Sequence, residues 1–409
     1  MDTGDTGFIL ICTALVFLMT PGLALFYGGM VRKKNVLSTL MHSWIVIGIM
    51  SLQWILVGYT LAFGPDFHGV IGSLNWFGLN GVGVDPNPDY AATIPVIVFM
   101  AFQMMFAVIT PALISGSIAE RMRFPAFVMF MILWATFVYD PLAHWIWGVG
   151  GFLRTLGALD FAGGNVVHIS SGYSGLIAAL VLGKRKGLGK EEMAPHHIPM
   201  TVLGAGLLWF GWFGFNAGSA LGANGLAGMA FVNTNTAAAA AAVAWAMVER
   251  LHRGKTTMLG VASGAVAGLV AITPGAGFVT PLSSIFIGLV GGTICYFAIS
   301  LMKAKFGYDD ALDAFGCHGI GGTWGALATG IFATKTINPA GADGLFYGNA
   351  SLLGIQAISV LITVAFAVIA TFIILKVIGL VMKLRVSEEE ESNGLDLSLH
   401  GERAYSEFS

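Results

Sequence analysis

The sequence predicts an all-α polytopic membrane protein with eleven transmembrane helices, arranged as two inverted five-helix repeats and a final helix. Three observations support this fold class: the apolar composition, the alternation of basic residues between successive loops, and a local motif that occurs twice. Each constrains a different property, namely the number of spans, their orientation, and the relation between the two halves.

The composition is that of an integral membrane protein. Of the 409 residues, 56% are hydrophobic and 10% are charged, whereas soluble domains carry about 25% charged residues. The net charge of −2 provides no basic field, so we expect no nucleic-acid partner. Cys12, Cys295 and Cys317 are scattered through apolar runs, which argues against a disulfide framework or a cysteine metal site. We expect no cofactor.

Eleven apolar segments have lengths typical of membrane spans. Their approximate bounds are 8–30, 37–63, 91–118, 124–146, 162–183, 198–217, 226–249, 256–273, 278–302, 314–333 and 351–383. The first has no basic region before it and is longer than a signal-peptide core, so we expect it to be a span. The chain then divides into a transmembrane domain, 1–385, and a polar cytoplasmic tail, 386–409.

Basic residues follow the odd-numbered spans. The loops after spans one, three, five, seven and nine hold fourteen lysines and arginines, and the alternate loops hold only Arg154 and Lys335. Because cytoplasmic loops are enriched in Lys and Arg, the pattern predicts an outside amino terminus and a cytoplasmic carboxyl terminus. Each unit contains five spans, and a unit with an odd number of spans ends on the opposite side of the membrane from where it began. The unit 198–333 must therefore run inverted relative to the unit 8–183.

The repeated motif supports the inverted arrangement. Residues 160–176 read DFAGGNVVHISSGYSGL, and residues 310–326 read DALDAFGCHGIGGTWGA. In each, an aspartate precedes a histidine by eight residues, and glycines follow the histidine by four and by seven. Eight helical residues span about 12 Å, close to half of a hydrocarbon core about 30 Å thick. His168 and His318 therefore approach the midplane from opposite faces, which is a transporter design.

Polar residues near the motif allow two interpretations. A single buried histidine is usually a satisfied core residue, but two in matched repeats at membrane depth indicate a pathway. The other seven histidines lie at span ends, in loops or in the tail, and we interpret them as ordinary. For Asp160 we favour a structural role as a helix N-cap, and the alternative role is a fixed negative charge that favours a cation. We interpret Asp310 and Asp313 in the same way.

Aromatic residues cluster on the predicted outer half of the membrane. Phe102 and Phe106 are four residues apart on one helical face, and Trp147 closes the fourth span. The sixth span ends in an aromatic and hydroxyl group: Trp212, Phe213, Phe215 and Ser219. Each is common as an interfacial anchor. Together, aromatic faces and one hydroxyl make a desolvated cation site, worth about 2 kcal/mol per contact.

The chain resembles the Amt/Mep/Rh ammonium transporter family, on its Amt branch, over essentially its full length. Eight motifs carry the resemblance, in the family order: PGLALFYGG, AFQMMF, IAERMRF, LDFAGGNVVHI, GKRKG, WFGFNAGSA, DDALDAFGCHGIGG and GLDLSLHGERAY. The resemblance implies a non-enzymatic transporter of ammonium or ammonia, with methylammonium as a candidate second substrate. It also implies the plasma membrane, a homotrimer with one pore per subunit, and a PII-type nitrogen regulatory protein docked on the cytoplasmic face.

The resemblance also assigns site residues. It places an outer recruitment site at Phe102, Phe106, Trp147 and Ser219, with Asp160 as its structural and electrostatic aspartate. Phe106 and Phe215 then form the stacked pair that closes the outer mouth, and His168 and His318 are the twin pore histidines.

Two other classes remain open at this point. Two histidines on two spans can ligate a haem from both sides, which would make the chain a redox protein. A sensor is the third class, although a tail of about 25 residues leaves no room for a signalling domain of the usual size.

Overall fold

The computed structural model describes residues 1–405 and is predominantly α-helical. The α-helices are α1 Thr3–Met30, α2 Val36–Gln53, α3 Tyr59–Phe63, α4 Val96–Ile118, α5 Phe124–Trp134, α6 Asp140–Trp147, α7 Phe152–Leu156, α8 Ser170–Leu182, α9 Ile198–Gly218, α10 Gly225–Arg253, α11 Met258–Ile272, α12 Pro281–Phe297, α13 Lys303–Phe306, α14 Ile320–Phe332, α15 Ala350–Val381, α16 Glu388–Asn393 and α17 Leu395–His400. Five π-helical segments extend or interrupt these helices: Trp54–Gly58, Ala135–Tyr139, Gly164–Ile169, Ala298–Met302 and Phe315–Gly319.

Short non-α elements lie between the helices. Strand β1, Asp66–Phe67, pairs antiparallel with β2, Ile71–Gly72, and β3, Pro86–Asn87, pairs antiparallel with β4, Ala91–Pro95. Three 3₁₀ turns complete the described chain: Lys33–Asn35, Leu74–Leu79 and Leu345–Tyr347.

The prediction of an all-α polytopic membrane protein is confirmed. Within residues 1–405, nine helical stretches are long and apolar enough to cross a membrane: Thr3–Met30, Lys33–Phe63, Val96–Ile118, Phe124–Leu156, Gly164–Leu182, Ile198–Gly218, Gly225–Arg253, Pro281–Phe306 and Ala350–Val381. A shorter apolar helix covers Met258–Ile272, and α14 with its preceding π-helical segment occupies the predicted tenth segment. The count of eleven spans stays a prediction.

Two predicted boundaries differ from the structure. The segment expected at 91–118 begins as strand β4, and its helix starts only at Val96, because Pro95 restricts the residue before it to extended backbone. The segment expected at 124–146 continues through a π-helical turn to Trp147 and then into α7.

Contacts between the two histidine-bearing helices are reciprocal. His168 contacts His318, and Tyr173 contacts Thr323, so each residue meets its own counterpart 150 positions later. Gly172 lies against Gly319. The equivalent contact in the other repeat is also present, because Gly322 lies against Ile169. Self-complementary contacts of this kind are what a two-fold axis produces. This geometry favours the inverted repeat, whose limits at 8–183 and 198–333 stay a prediction.

The polar tail, up to Tyr405, is ordered and packed on the helical domain. The backbone N–H of Leu395 donates to the side chain of Asn35 at 2.8 Å, and the N–H of Ser38 donates to the carboxylate of Asp396 at 2.8 Å. Glu391 accepts a hydrogen bond from the backbone N–H of Lys186 at 2.6 Å. The tail thereby satisfies orphan N–H groups at the start of α2. The last part of the predicted tail, residues 406–409, lies outside the described residues.

The close helix approach at Gly172 generates a stability prediction. A Cβ at Gly172 would lie 2.1 Å from the backbone nitrogen of Gly319, so Gly172→Ala must separate α8 from the His318 segment. We expect the free energy of unfolding to fall by about 1–3 kcal/mol, as for other overpacked cores. Thermal unfolding of the detergent-solubilised protein measures the change.

The matched control for this prediction is Gly206→Ala in α9. No heavy atom lies within 4 Å of a Cβ at that position, and removal of a helical glycine is otherwise stabilising by about 0.5–1 kcal/mol. Equal unfolding temperatures for the two variants would show that the glycine contact does not hold the helices together.

Candidate functional site

Three cavities follow one another through the helical domain. The first, which we call the aromatic vestibule, has a volume of about 450 Å³, and its lining includes Phe106, Trp147, Asp160 and Ser219. The second is the histidine passage, with a volume of only about 10 Å³, on the order of the space that one water molecule requires. The third, the basal vestibule, has a volume of about 440 Å³ and shares His318 with the histidine passage.

The aromatic vestibule combines ring faces with oxygen acceptors. The rings of Phe106 and Trp147 are perpendicular, with centroids 6.0 Å apart. The hydroxyl of Ser219 donates to the carbonyl of Phe215 at 2.9 Å, which leaves its oxygen lone pairs free to accept. The indole N–H of Trp147 donates to the carbonyl of Asp160 at 2.9 Å. These contacts orient both the aromatic faces and the hydroxyl before any ligand arrives.

Phe102 occupies a different place from its predicted partners. It is fully buried, and its ring centroid lies 5.0 Å from that of Phe106. Gly218 packs directly against the ring of Phe102. Phe102 therefore supports Phe106 from behind and does not line the vestibule.

Phe106 and Phe215 separate the aromatic vestibule from the histidine passage. Their ring centroids are 4.2 Å apart, with an interplanar angle of 33°. Phe106 lines the vestibule, Phe215 lines the histidine passage, and both are buried. Because the two rings are in contact in this conformation, a solute needs a movement of the rings to pass between them.

His168 and His318 meet in the histidine passage through like atoms. Their Nδ1 atoms lie 3.2 Å apart. A neutral imidazole carries one proton, so this hydrogen bond requires one histidine protonated on Nδ1 and the other protonated on Nε2. The two remaining Nε2 atoms then have opposite character, one acceptor and one donor. The Nε2 atom of His168 is buried and has no protein partner.

Local backbone geometry places each histidine. Both lie in π-helical segments, Gly164–Ile169 and Phe315–Gly319, directly before a 13-residue α-helix. The wider π-helical turn is rare and often accompanies functional sites. His168 also stacks on Trp212, with ring centroids 5.3 Å apart and an interplanar angle of 23°, and the indole N–H of Trp212 is held by Thr273 at 2.9 Å.

The two aspartates of the repeated motif anchor these segments. The carboxylate of Asp160 accepts backbone N–H groups from Gly163, Gly164, Asn165 and Val166. Burial raises the pKa of the Asp160 carboxyl, and the four N–H donors oppose that rise. The carboxylate of Asp310 accepts the N–H of Phe315 at 2.8 Å and the hydroxyl of Ser117 at 2.7 Å. The capping interpretation therefore describes both.

Asp313 differs from the other two aspartates. Its carboxylate pairs with the ammonium of Lys303 at 2.6 Å, and its backbone has a φ of 62°. It lines the basal vestibule together with Glu249 and Arg253, so this exit carries charges of both signs.

The contact between the histidine rings argues against the haem alternative. A haem held from both sides places its iron and the planar macrocycle between the two ligating nitrogens. Here Nδ1 of His168 and Nδ1 of His318 are within hydrogen-bond distance of each other, which leaves no room for a macrocycle between them.

The sequence interpretation missed two polar features beside the vestibule. Gln103 lines the vestibule, and its buried Oε1 atom has no protein partner. A single amide side chain between Phe102 and Phe106 in a largely apolar span could have indicated this site from the sequence. His144, interpreted as ordinary, is fully buried and contacts Asp66. No local sequence pattern indicated this contact, because Asp66 lies 78 residues away from His144.

The fold and the cavities define a polytopic helical membrane protein with two vestibules joined by a narrow buried passage. The chain belongs to the Ammonium Transporter Family, whose family model matches residues 7–405. The family consists of transporters and not of enzymes.

Curated relatives align over nearly the entire chain. The chain is 61% identical to the ammonium transporter of Bacillus subtilis, over 99% of each protein. It is 50% identical to the ammonium transporter Amt1 of Archaeoglobus fulgidus, over 99% of this chain and all of that one.

Solved structures share the same fold. Saccharomyces cerevisiae Mep2 superposes with a TM-score of 0.91 at 37% identity, covering 100% of this chain and 93% of that one. A structure described as a sensor Amt protein superposes with a TM-score of 0.90 at 31% identity, covering 97% of this chain and 98% of that one.

Proposed function

We propose that this protein carries ammonium nitrogen across the membrane by binding the cation in the aromatic vestibule and passing neutral ammonia through the histidine passage. One observation carries the proposal: the buried pair Phe106 and Phe215 divides a cavity suited to a cation from a passage suited to a small neutral molecule. Relatives over the whole chain are named ammonium transporters, which supports the choice of solute.

The passage excludes ions by the cost of desolvation. Moving a bare cation into apolar surroundings is very costly, whereas a neutral amine costs far less. The same low dielectric lowers the pKa of an ammonium ion, so the cation gives its proton to water in the aromatic vestibule, next to the phenylalanine pair, and continues as ammonia. Potassium has a similar charge and size but no proton to lose. It therefore stops at the vestibule.

The histidine pair offers ammonia both kinds of hydrogen-bonding partner. One Nε2 atom accepts and the other donates, as the Nδ1–Nδ1 contact requires. Ammonia, which donates and accepts, can bind both without any net charge on the pair. Asp160 serves this site by holding the His168 segment and by adding a negative charge beside the vestibule.

We place the aromatic vestibule on the outer side of the plasma membrane, with the amino terminus outside and the tail in the cytoplasm. The alternation of basic loops supports this orientation. We further propose a homotrimer with one pathway per subunit, and methylammonium as a second substrate.

Replacement of the vestibule groups should weaken recruitment. Trp147→Leu combined with Ser219→Ala removes one aromatic face and one hydroxyl acceptor, and we expect the KM for ammonium to rise about tenfold, equivalent to about 1.4 kcal/mol. Transport currents from proteoliposomes measure KM. Trp44→Leu, at an exposed tryptophan away from the cavities, is the matched control. A KM equal to that of the control would place recruitment elsewhere.

Replacement of the passage histidines should separate transport from selectivity. His168→Ala removes one of the two hydrogen-bonding partners, and we expect the ammonium current to fall at least about tenfold; His318→Ala should behave alike. His168→Asp introduces a charge, so we expect a potassium current that the unmutated protein lacks. His252→Ala, at an exposed histidine outside the passage, is the control. Unchanged currents in both alanine variants would contradict the assigned pathway.

We propose that a PII-type nitrogen regulatory protein docks on the cytoplasmic face and contacts the tail. The ordered packing of α16 and α17 on the start of α2 presents a defined surface for such a partner. Pull-down of a PII-type protein by the full-length transporter, with and without nucleotide effectors, tests the docking. Binding under at least one effector condition is expected, and its absence under all of them would contradict regulation by this partner.

A further inference from the structure

A buried histidine beside the aromatic vestibule has acceptors on both of its ring nitrogens. His144 is fully buried at the end of α6. Its Nδ1 atom lies 3.0 Å from the carbonyl oxygen of Ala62, and its Nε2 atom lies 2.8 Å from a carboxylate oxygen of Asp66. A carbonyl only accepts, so Nδ1 carries a proton. The contact with Asp66 requires a second proton between Nε2 and the carboxylate.

Asp66 is placed to keep that second proton on the histidine. Its side chain is 32% exposed, and its carboxylate also accepts the backbone N–H of Gly69 at 2.8 Å, so its oxygens act as acceptors on both sides. Gly150, with a φ of 91°, packs against this carboxyl group, and a Cβ there would lie 2.6 Å from the Cβ of Asp66. The pair is therefore an imidazolium and a carboxylate, fixed in a closely packed corner.

This corner joins two walls of the aromatic vestibule. Ala62 is followed by Phe63, and His144 is three residues before Trp147; Phe63 and Trp147 both line the vestibule. The bond from His144 to Ala62 thus ties the end of α3 to the last turn of α6. Further contacts hold the same junction, including the indole N–H of Trp145 to the carbonyl of Val70 at 2.7 Å.

Other ionisable groups lie on α6 and on the elements packed against it, and none is hydrogen-bonded to the His144 ring. They are Tyr59, Tyr139, Asp140, Arg154 and His168. Within residues 1–405, the only hydrogen-bonded ionisable partner of the His144 ring is Asp66.

We propose that His144 and Asp66 form a proton-dependent clamp that positions Phe63 and Trp147 for cation recruitment. The inference rests on the proposed function of the vestibule. When the ring loses one proton, the remaining proton stays on Nε2 facing the carboxylate of Asp66, the stronger acceptor, and a lone pair on Nδ1 then faces the carbonyl oxygen of Ala62, so that contact becomes repulsive. The junction between α3 and α6 then loosens, and the two aromatic walls no longer face one cation together. His144 and Asp66 are positioning residues, since neither lines the vestibule.

The test compares KM for the ammonium cation across pH in three proteins. Asp66→Asn is nearly isosteric and allows a neutral imidazole to keep both bonds, with Nδ1–H donating to Ala62 and Nε2 accepting from the introduced amide. His144→Phe removes both bonds. His68→Gln, at an exposed histidine of the same hairpin, is the matched control.

We expect the KM of the unmutated protein and of His68→Gln to rise about fivefold from acidic to alkaline pH, because a neutral ring can donate to only one of its two acceptors. Asp66→Asn should give a KM that is constant over this range. His144→Phe should give the higher KM at every pH, with maximal current changed by less than about twofold, because the passage itself is intact.

Several outcomes would overturn the clamp. These are a KM of the unmutated protein that does not change with pH, a pH dependence that survives in Asp66→Asn, or a KM of His144→Phe equal to that of the unmutated protein. If His144→Phe does not fold, the comparison of the unmutated protein with Asp66→Asn decides alone. Absence of both an ammonium current and an internal pH change in the unmutated protein would instead reject the proposed function.

Discussion

The close contact between the two histidine-bearing helices is the constraint on which the rest of the site depends. Gly172 lies against Gly319, and Gly322 lies against Ile169, with no room for a Cβ at either glycine. This approach brings two Nδ1 atoms to 3.2 Å. Without it, the histidines would be two separate buried polar groups, each with unmet hydrogen-bonding capacity, which is costly in an apolar interior.

The pairing of like nitrogens has a chemical consequence. One proton lies on the Nδ1–Nδ1 line, so the free Nε2 atoms must differ, and their roles exchange only when the shared proton and the Nε2 proton both move between the two rings. The pair stays neutral in both arrangements. A neutral pair with one donor and one acceptor is what the proposed passage of ammonia requires, because it offers hydrogen bonds without a charge that would attract a cation. The buried phenylalanine pair above it supplies the complementary property, because it admits no hydrated ion in this conformation.

Sequence patterns predicted the helical membrane fold because hydrophobic length and glycine content are local properties. The repeated spacing of aspartate, histidine and glycine likewise predicted that His168 and His318 would meet, since helix geometry converts spacing into depth. The carboxylate of Asp160 has the geometry of a helix cap, and this was predictable because the four N–H groups it accepts lie only three to six residues further along the chain.

Other features depend on tertiary contacts that no local pattern records. Phe102 and Phe106 share a helical face, yet only Phe106 reaches the vestibule, because Gly218 lets α9 pack onto Phe102. The tail is polar and could equally have been disordered; its order comes from contacts with Asn35 and Ser38, far away in sequence. The contact of His144 with Asp66 was not predicted either, because it joins residues that are 78 positions apart in the sequence.

The most direct test of this account is a comparison of ammonium and potassium concentration jumps on proteoliposomes of the unmutated protein, recorded by solid-supported-membrane electrophysiology together with internal pH. The account predicts that an ammonium jump alkalinises the interior when the proton is left behind, or produces a current when the proton follows separately. A potassium jump should produce neither signal. A potassium current comparable to the ammonium response would contradict passage in the neutral form, because the two cations would then cross by the same route intact.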